Sequence, residues 1–564
     1  MTGENISKPV YKVKAYCDVP VTMRDGVVIY VDIFRPDADG KFPALVAISP
    51  YGKEIQSLPI PPMPAEAPLY NVSIEAGDPE YLVSRGYVMM ITDERGIGKS
   101  GGEYNGWMSK QEAEDGYDMV EWIAQQPWCD GNVGMVGISY FGCIQPSVAA
   151  EQPPHLKAIM PYNAPADFYR ECAYHGGILQ SFFFHLYRNC IRGNTVSVTA
   201  KEKMPEEFER LVEGLKNNPD IRMYPDYYNV ASNYRWSPCF FDVIANPEDG
   251  PFYWERSAYT NYDKINIPCY CGSGWWAYAH MHLRGAFQNY LGIDAPKKLF
   301  INRPVVFDRP MPQEYNEEVI RWYDYWLKGK DTGIMNEPPI KIFVRGDNQW
   351  RFEHEWPLKR TRWTKFYLHD WQSLTLQLDE LPSRPACFTQ RPLDETYAIE
   401  SVSYLTEPMS EDMEVTGPMA LYMYASISEY DTNWMVGLID IASDNSEVDL
   451  ARGWLKASHR TIDESKSEVY EPYHPHVNPT PVVPDEIYEY AISLSPVSNV
   501  FKTGHRIKLK ISSMDHSMIP FPISMGSTHL PYHMCSSNTV THKIYHDPKH
   551  PTHLLLPIIP KNSG

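Results

Sequence analysis

The segment that most restricts how this chain can fold is Gly134-Met135-Val136-Gly137-Ile138-Ser139-Tyr140-Phe141-Gly142. Met135 and Val136 read as the end of a buried strand, and apolar residues resume in Val148-Ala149-Ala150. Small residues on both sides permit a sharp strand-to-helix turn. A serine at such a turn takes a strained backbone conformation with its hydroxyl presented at the top of a sheet, the geometry of a nucleophile elbow. A serine placed so calls for a base and an orienting acid elsewhere in the chain.

The chain's 564 residues suffice for a large core and two to four domains. Aromatic residues make up 13%, with 39 Tyr and 15 Trp, which favours stacking-rich pockets or sheet packing. The formal net charge of -20 argues against nucleic acid or an anionic membrane surface as a partner. No run of about 18 apolar residues predicts a spanning helix. Met1-Thr2-Gly3-Glu4-Asn5 has neither the basic nor the apolar region of a signal peptide. The ten cysteines are scattered, and only Cys269 and Cys271 are close. They read as reduced, buried thiols of a cytoplasmic protein, with neither a metal site nor any cofactor expected.

Alternating apolar runs and turns predict strands over Val27–Phe34, Phe42–Ile48, Tyr87–Ile91 and Val133–Val136, with a helix over Glu112–Gln126 that Pro127 stops. Strand, helix, strand at this spacing indicates a parallel α/β sheet. Ser181–Tyr187 and Lys201–Asn217 read as helices of an insertion covering the sheet, which resumes at Ile267–Cys271 and Lys298–Ile301. Beyond about residue 335 the pattern is all-β, in short alternating runs that suggest a sandwich or jelly roll. Residues 442–486, rich in charge, Pro and His, read as long surface loops.

Several motifs then point one way. They are Thr22-Met23-Arg24-Asp25-Gly26, Ser49-Pro50-Tyr51-Gly52-Lys53, Asp93-Glu94-Arg95-Gly96-Ile97-Gly98-Lys99-Ser100, the elbow itself, Arg321-Trp322-Tyr323-Asp324-Tyr325-Trp326-Leu327-Lys328-Gly329 and Ser498-Asn499-Val500-Phe501 with Gly504-His505-Arg506. Over nearly its whole length the chain resembles the cocaine esterase-like, or X-Pro dipeptidyl-peptidase-like, α/β-hydrolases (CocE/NonD type). The resemblance implies an α/β-hydrolase domain over residues 1–160 and 261–335. It also implies a helical cap over 161–260 and a C-terminal jelly roll over 336–564. It further implies a small-molecule ester or amide substrate and a homo-oligomer such as a dimer. By the same resemblance Ser139 is the nucleophile, and the Tyr51 hydroxyl and Tyr140 amide form the oxyanion hole.

The pattern breaks at the other two triad positions. The family acid lies in a G-W-Y-D loop, which here reads Gly274-Trp275-Trp276-Ala277-Tyr278, with Ala277 at the acid position and no Asp or Glu from Ile265 to Ile293. The family histidine position holds Phe307, and no His occurs from Leu283 to Glu353. Without a base a serine hydroxyl is a poor nucleophile near neutral pH, and loss of the base costs about 10⁶ in rate.

Three readings follow. A retained oxyanion hole without a triad suits non-hydrolytic chemistry on a small, apolar or aromatic carbonyl compound: rearrangement, cyclisation or lyase-type cleavage. Alternatively, an esterase, amidase or acyltransferase has a relocated acid/base among His280, His282, His175 and Asp308. The third reading is a non-catalytic binding protein. Trp275, Trp276, Ala277, Tyr278 and Phe307 are the expected pocket walls. Asp115 and Asp118 share a helix with three glutamates and read as structural rather than catalytic carboxylates.

Overall fold

Leu45–Ile48 and Val88–Ile91 are unbroken apolar runs, and a strand buried on both faces needs no polar alternation. In the computed structural model both lie inside a ten-stranded sheet and are fully or almost fully buried. The structure describes residues 5–57, 75–191, 193–196, 205–275, 281–304, 312–378, 380–515 and 531–561.

The strands are β1 Val13–Thr22, β2 Val28–Pro36, β3 Phe42–Ser49, β4 Val88–Asp93, β5 Cys129–Met135 and β6 Leu156–Ile159. A short hairpin, β7 Tyr174–His175 and β8 Ile178–Leu179, stands apart; β9 Cys269–Gly274, β10 Lys297–Asn302, β11 Ile340–Val344 and β12 Gln349–Glu353 complete the sheet. Its order is β1-β2-β4-β3-β5-β6-β9-β10-β11-β12, parallel from β4 to β11 and antiparallel at both ends. The first sheet therefore continues past residue 336 through β11 and β12.

Helix α1, Lys110–Ala124, starts at a capping box in which Ser109 accepts from the Glu112 amide and Glu112 accepts from the Ser109 amide. Helix α2, Tyr140–Ala150, leaves directly from Ser139. Helices α3, Leu283–Gly292, and α4, Pro312–Trp326, follow β9 and β10. Between β6 and β9 the chain forms a π-helical turn at Phe168–Ala173, the β7–β8 hairpin and a set of helices that includes Phe208–Asn217, Pro225–Ser232 and Pro238–Ala245. The helix expected over Lys201–Asn217 is described only from Phe208.

The C-terminal part is all-β. Strand Met413–Ile427 pairs with both Tyr488–Phe501 and His553–Ile559, and the latter also pairs with Arg362–His369. These pairings close the sheet into a barrel. Residues 442–486 are not simply surface loop. Glu447–Lys456 is a strand paired with Asn433–Ile441, and it buries Leu450, Ala451 and Leu455. Its charged residues Glu447, Asp449, Arg452 and Lys456 stay outside the core, and a bulge at Leu450-Ala451 shifts the period of two, so its high charge reads as loop. His459, His474 and His476 beyond it are also buried.

Among the described residues no helix is long and apolar enough to cross a membrane.

Candidate active site

After β5 the chain turns through Gly137, whose φ is +124° and whose missing Cβ would lie 2.4 Å from the Phe141 Cβ. Ser139 follows at φ 59°, ψ -121°, a region costly for a residue with a side chain. The turn is clamped on both sides: the Ile138 amide donates to the Glu75 carbonyl at 2.9 Å, and the Ser139 amide to the Tyr162 carbonyl at 3.0 Å. Gly142 lets α2 approach the same strand extension, since a Cβ there would lie 2.3 Å from the Tyr162 carbonyl oxygen. Gly142→Ala is therefore expected to cost about 1–3 kcal/mol of stability through overpacking. It should also displace Ser139, read as a lower melting temperature together with lost serine reactivity.

Ser139 Oγ lies 3.3 Å from His282 Nε2. His282 is 2% exposed and sits immediately before α3. That helix is docked by Gly285, whose Cβ would meet the Ala164 carbonyl at 2.4 Å, and by Asn289, whose amide donates to the same carbonyl at 3.0 Å. The Ser139–His282 contact is slightly longer than an ideal hydrogen bond.

Tyr51 reaches the elbow from the turn after β3. Its ring packs edge-on against Tyr140 and Phe141, with centroids 5.6 and 6.3 Å apart. The turn is pinned by Lys53, whose amide donates to Asp93 at 2.7 Å and whose buried ammonium pairs with Asp18 at 2.7 Å and Asp32 at 3.1 Å. Tyr140 opens α2, where the first backbone N–H groups have no partner within the helix and suit a developing oxyanion.

Of the other expected site residues, those that are described engage different partners. Both ring nitrogens of His175 are engaged away from the elbow, Nδ1 with His533 Nε2 at 2.9 Å and Nε2 with the Glu171 carbonyl at 2.7 Å. His533 is in turn paired with Asp515 at 2.6 Å. His175 is thus part of a buried His–His–Asp chain between cap and barrel. Trp275 donates its indole N–H to the Phe343 carbonyl and packs with Phe287 and Trp356, so it fills core beside the sheet. Trp276, Ala277, Tyr278, His280, Phe307 and Asp308 lie outside the described residues. Asp115 pairs with Arg95 at 2.6 Å and Asp118 with Arg24 at 2.7 Å, both as structural ion pairs.

Burial of the carboxyls Glu171, Glu94 and Glu112 was not anticipated. Glu171, in the π-helical turn, accepts from the Ala166 and Asp167 amides with one oxygen. Burial, against a weaker opposing pull from Arg284, pushes its carboxyl up to about 8. Glu94 and Glu112 lie behind α2 and are 3% and 4% exposed. Of their contacts, only the Ser109–Glu112 capping box follows a sequence pattern, S-x-x-E.

The sequence profile of the X-Pro dipeptidyl-peptidase S15 family matches residues 25–304, and that of the X-Pro dipeptidyl-peptidase C-terminal non-catalytic domain matches residues 332–555. The chain belongs to the X-Pro dipeptidyl-peptidase (S15) family, as a CocE/NonD-like member. As an S15 protein it is an enzyme of the α/β-hydrolase superfamily. It is 27% identical to the cocaine esterase of Rhodococcus sp. (strain MB1 Bresler), over 96% of this chain and 98% of that one. Two solved structures share its fold. A CocE/NonD family hydrolase from Staphylococcus aureus has a TM-score of 0.74 at 24% identity, covering 97% of this chain and 94% of that one. An aminopeptidase from a marine sediment archaeon, Thaumarchaeota archaeon, has a TM-score of 0.75 at 17% identity, covering 99% and 98%.

Proposed function

We propose that this S15 protein is a serine hydrolase of small esters or amides whose base has moved to His282. The observation that carries this reading is the 3.3 Å approach of His282 Nε2 to Ser139 Oγ. His282 takes the Ser139 proton as the oxygen attacks the substrate carbonyl, and the Tyr51 hydroxyl and Tyr140 amide hold the resulting oxyanion. His282 then returns the proton to the leaving alcohol or amine. Water, deprotonated by the same imidazole, releases the acid from Ser139. A cocaine esterase among the relatives and the X-Pro dipeptidyl-peptidase family both support hydrolysis. The case for a non-hydrolytic enzyme rested on a missing base, which His282 supplies. The aromatic composition favours an apolar or aromatic acyl group.

A fluorophosphonate probe separates the readings. The full chain is expected to be labelled at Ser139, with labelling abolished in Ser139→Ala and slowed at least about a hundredfold in His282→Gln. An unlabelled wild-type chain would return the site to non-hydrolytic or binding roles.

A further inference from the structure

Tyr140 has two functional ends. Its amide is the proposed oxyanion donor, while its side chain points the other way, into the protein. The Tyr140 hydroxyl donates to Glu112 Oε2 at 2.7 Å and lies 2.8 Å from the Tyr104 hydroxyl. The other Glu112 oxygen accepts from the Ser109 amide at 2.9 Å and the Ser109 hydroxyl at 3.0 Å. Beside Glu112 is Glu94, at the end of β4. Neither Glu94 carboxyl oxygen meets an N–H or O–H donor among the described residues, although both are buried. Glu94, Glu112, Asp93, Arg95, Asp115 and Thr92 line a cavity of about 10 Å³, room for one water at most. Two bare carboxylates facing each other in such a place repel strongly, and neither can donate to the other. A single proton on Glu94 turns the pair into a donor and an acceptor.

We propose that Glu94 and Glu112 are positioning residues for the oxyanion amide: they share one proton, and that proton holds the Tyr140 hydroxyl and the first turn of α2 in the catalytic pose. The proposal rests on the hydrolase reading above. The surrounding groups do not neutralise the pair. Arg95 is committed to Asp115 and Asp25, and Lys53 to Asp18 and Asp32. Asp93 adds a further buried carboxyl, and Tyr104 and Tyr140 are neutral hydroxyls. Burial first, and then the Glu112 charge, hold the Glu94 carboxyl well above the usual range, in the direction that keeps the shared proton. When it is lost at alkaline pH, the two charges push apart and Glu112 pulls away from Tyr140. The oxyanion then loses support, while ground-state binding of the substrate does not. The effect therefore falls on kcat and not on KM.

The test uses p-nitrophenyl acetate hydrolysis by the full chain across pH, with difference infrared spectroscopy of the carboxyl band. Wild-type kcat is expected to fall about tenfold or more at alkaline pH with KM unchanged. Glu94→Gln, whose amide donates to Glu112 at every pH, should keep neutral kcat and lose that alkaline fall. Tyr140→Phe should lower kcat at all pH and also lose the alkaline fall. A protonated-carboxyl band should be present in the wild type at neutral pH and weakened in Glu94→Gln. Superimposable pH profiles for wild type and Glu94→Gln would overturn the positioning role. So would a band that Glu94→Gln leaves unchanged, whatever the activity. If the band behaves as expected but the wild type neither turns over the ester nor reacts with fluorophosphonate, the hydrolase reading fails and the positioning role falls with it, leaving only a proton-sharing pair.

Discussion

His282→Gln is expected to lower kcat for ester hydrolysis by about 10⁴- to 10⁶-fold with little change in KM. His282 precedes α3 rather than lying within it, and glutamine is close to histidine in size, so the helix and its docking on Ala164 should survive. What disappears is the group that takes the Ser139 proton. Ser139→Ala should cost about as much, and the double variant little more than either single one, because nucleophile and base act as a unit. A residual rate about 10³–10⁴ above water should persist in all three, supplied by the oxyanion hole and binding. The check is steady-state kinetics on p-nitrophenyl acetate with folding followed by circular dichroism. If His282→Gln keeps more than a tenth of wild-type kcat while Ser139→Ala is inactive, the base is another residue.

The parts of this protein visible in the sequence are those fixed by local rules. Strands β3 and β4 announce themselves because a doubly covered strand is a continuous apolar run. The elbow does so because its φ values admit few residues, and α1 because its apolar period and its stop at Pro127 are both written in the chain. The base was harder. His280, His282 and His175 have equal claims on composition, and the choice among them depends on how α3 docks against Ala164 and on where the barrel meets the cap. No local pattern encodes either. His175 looked available because His533, which engages its Nδ1, lies 358 residues away. Glu447–Lys456 was missed because strand charges on an exposed face look like loop composition. Glu94 and Glu171 gave no signal at all, since a carboxylate in a sequence reads as surface until its burial is seen.

Those buried groups give the fold an unusual dependence on pH. Where cap meets barrel, burial and the neighbouring His533 hold His175 down to about 3, burial and Lys456 hold His459 down to about 4, and His474 and His476 are also depressed by burial. Unfolded, these rings bind protons below about 6.5; folded, they do not. Their stabilising contribution is therefore present above 6.5 and is lost as pH falls from there toward 4 and below, by up to about 1.4 kcal/mol per pH unit for each ring. The carboxyls act in the opposite sense. Glu171 at about 8 and Asp93 at about 6, both raised first by burial, keep protons that the unfolded chain releases above about 4.5. The Glu94–Glu112 pair does the same. Their contribution is present at low pH and is lost as pH rises through the folded values. Between about 4.5 and 6.5 the two sets oppose each other and stability should be nearly flat. Below that window only the histidines act, and above it only the carboxyls, so stability should fall on both sides. Guanidinium unfolding midpoints measured across pH should trace this plateau, and Glu171→Gln should flatten the alkaline side while leaving the acid side in place. A midpoint that climbs steadily from acid through pH 8 would mean that these groups are not buried in the states assigned to them.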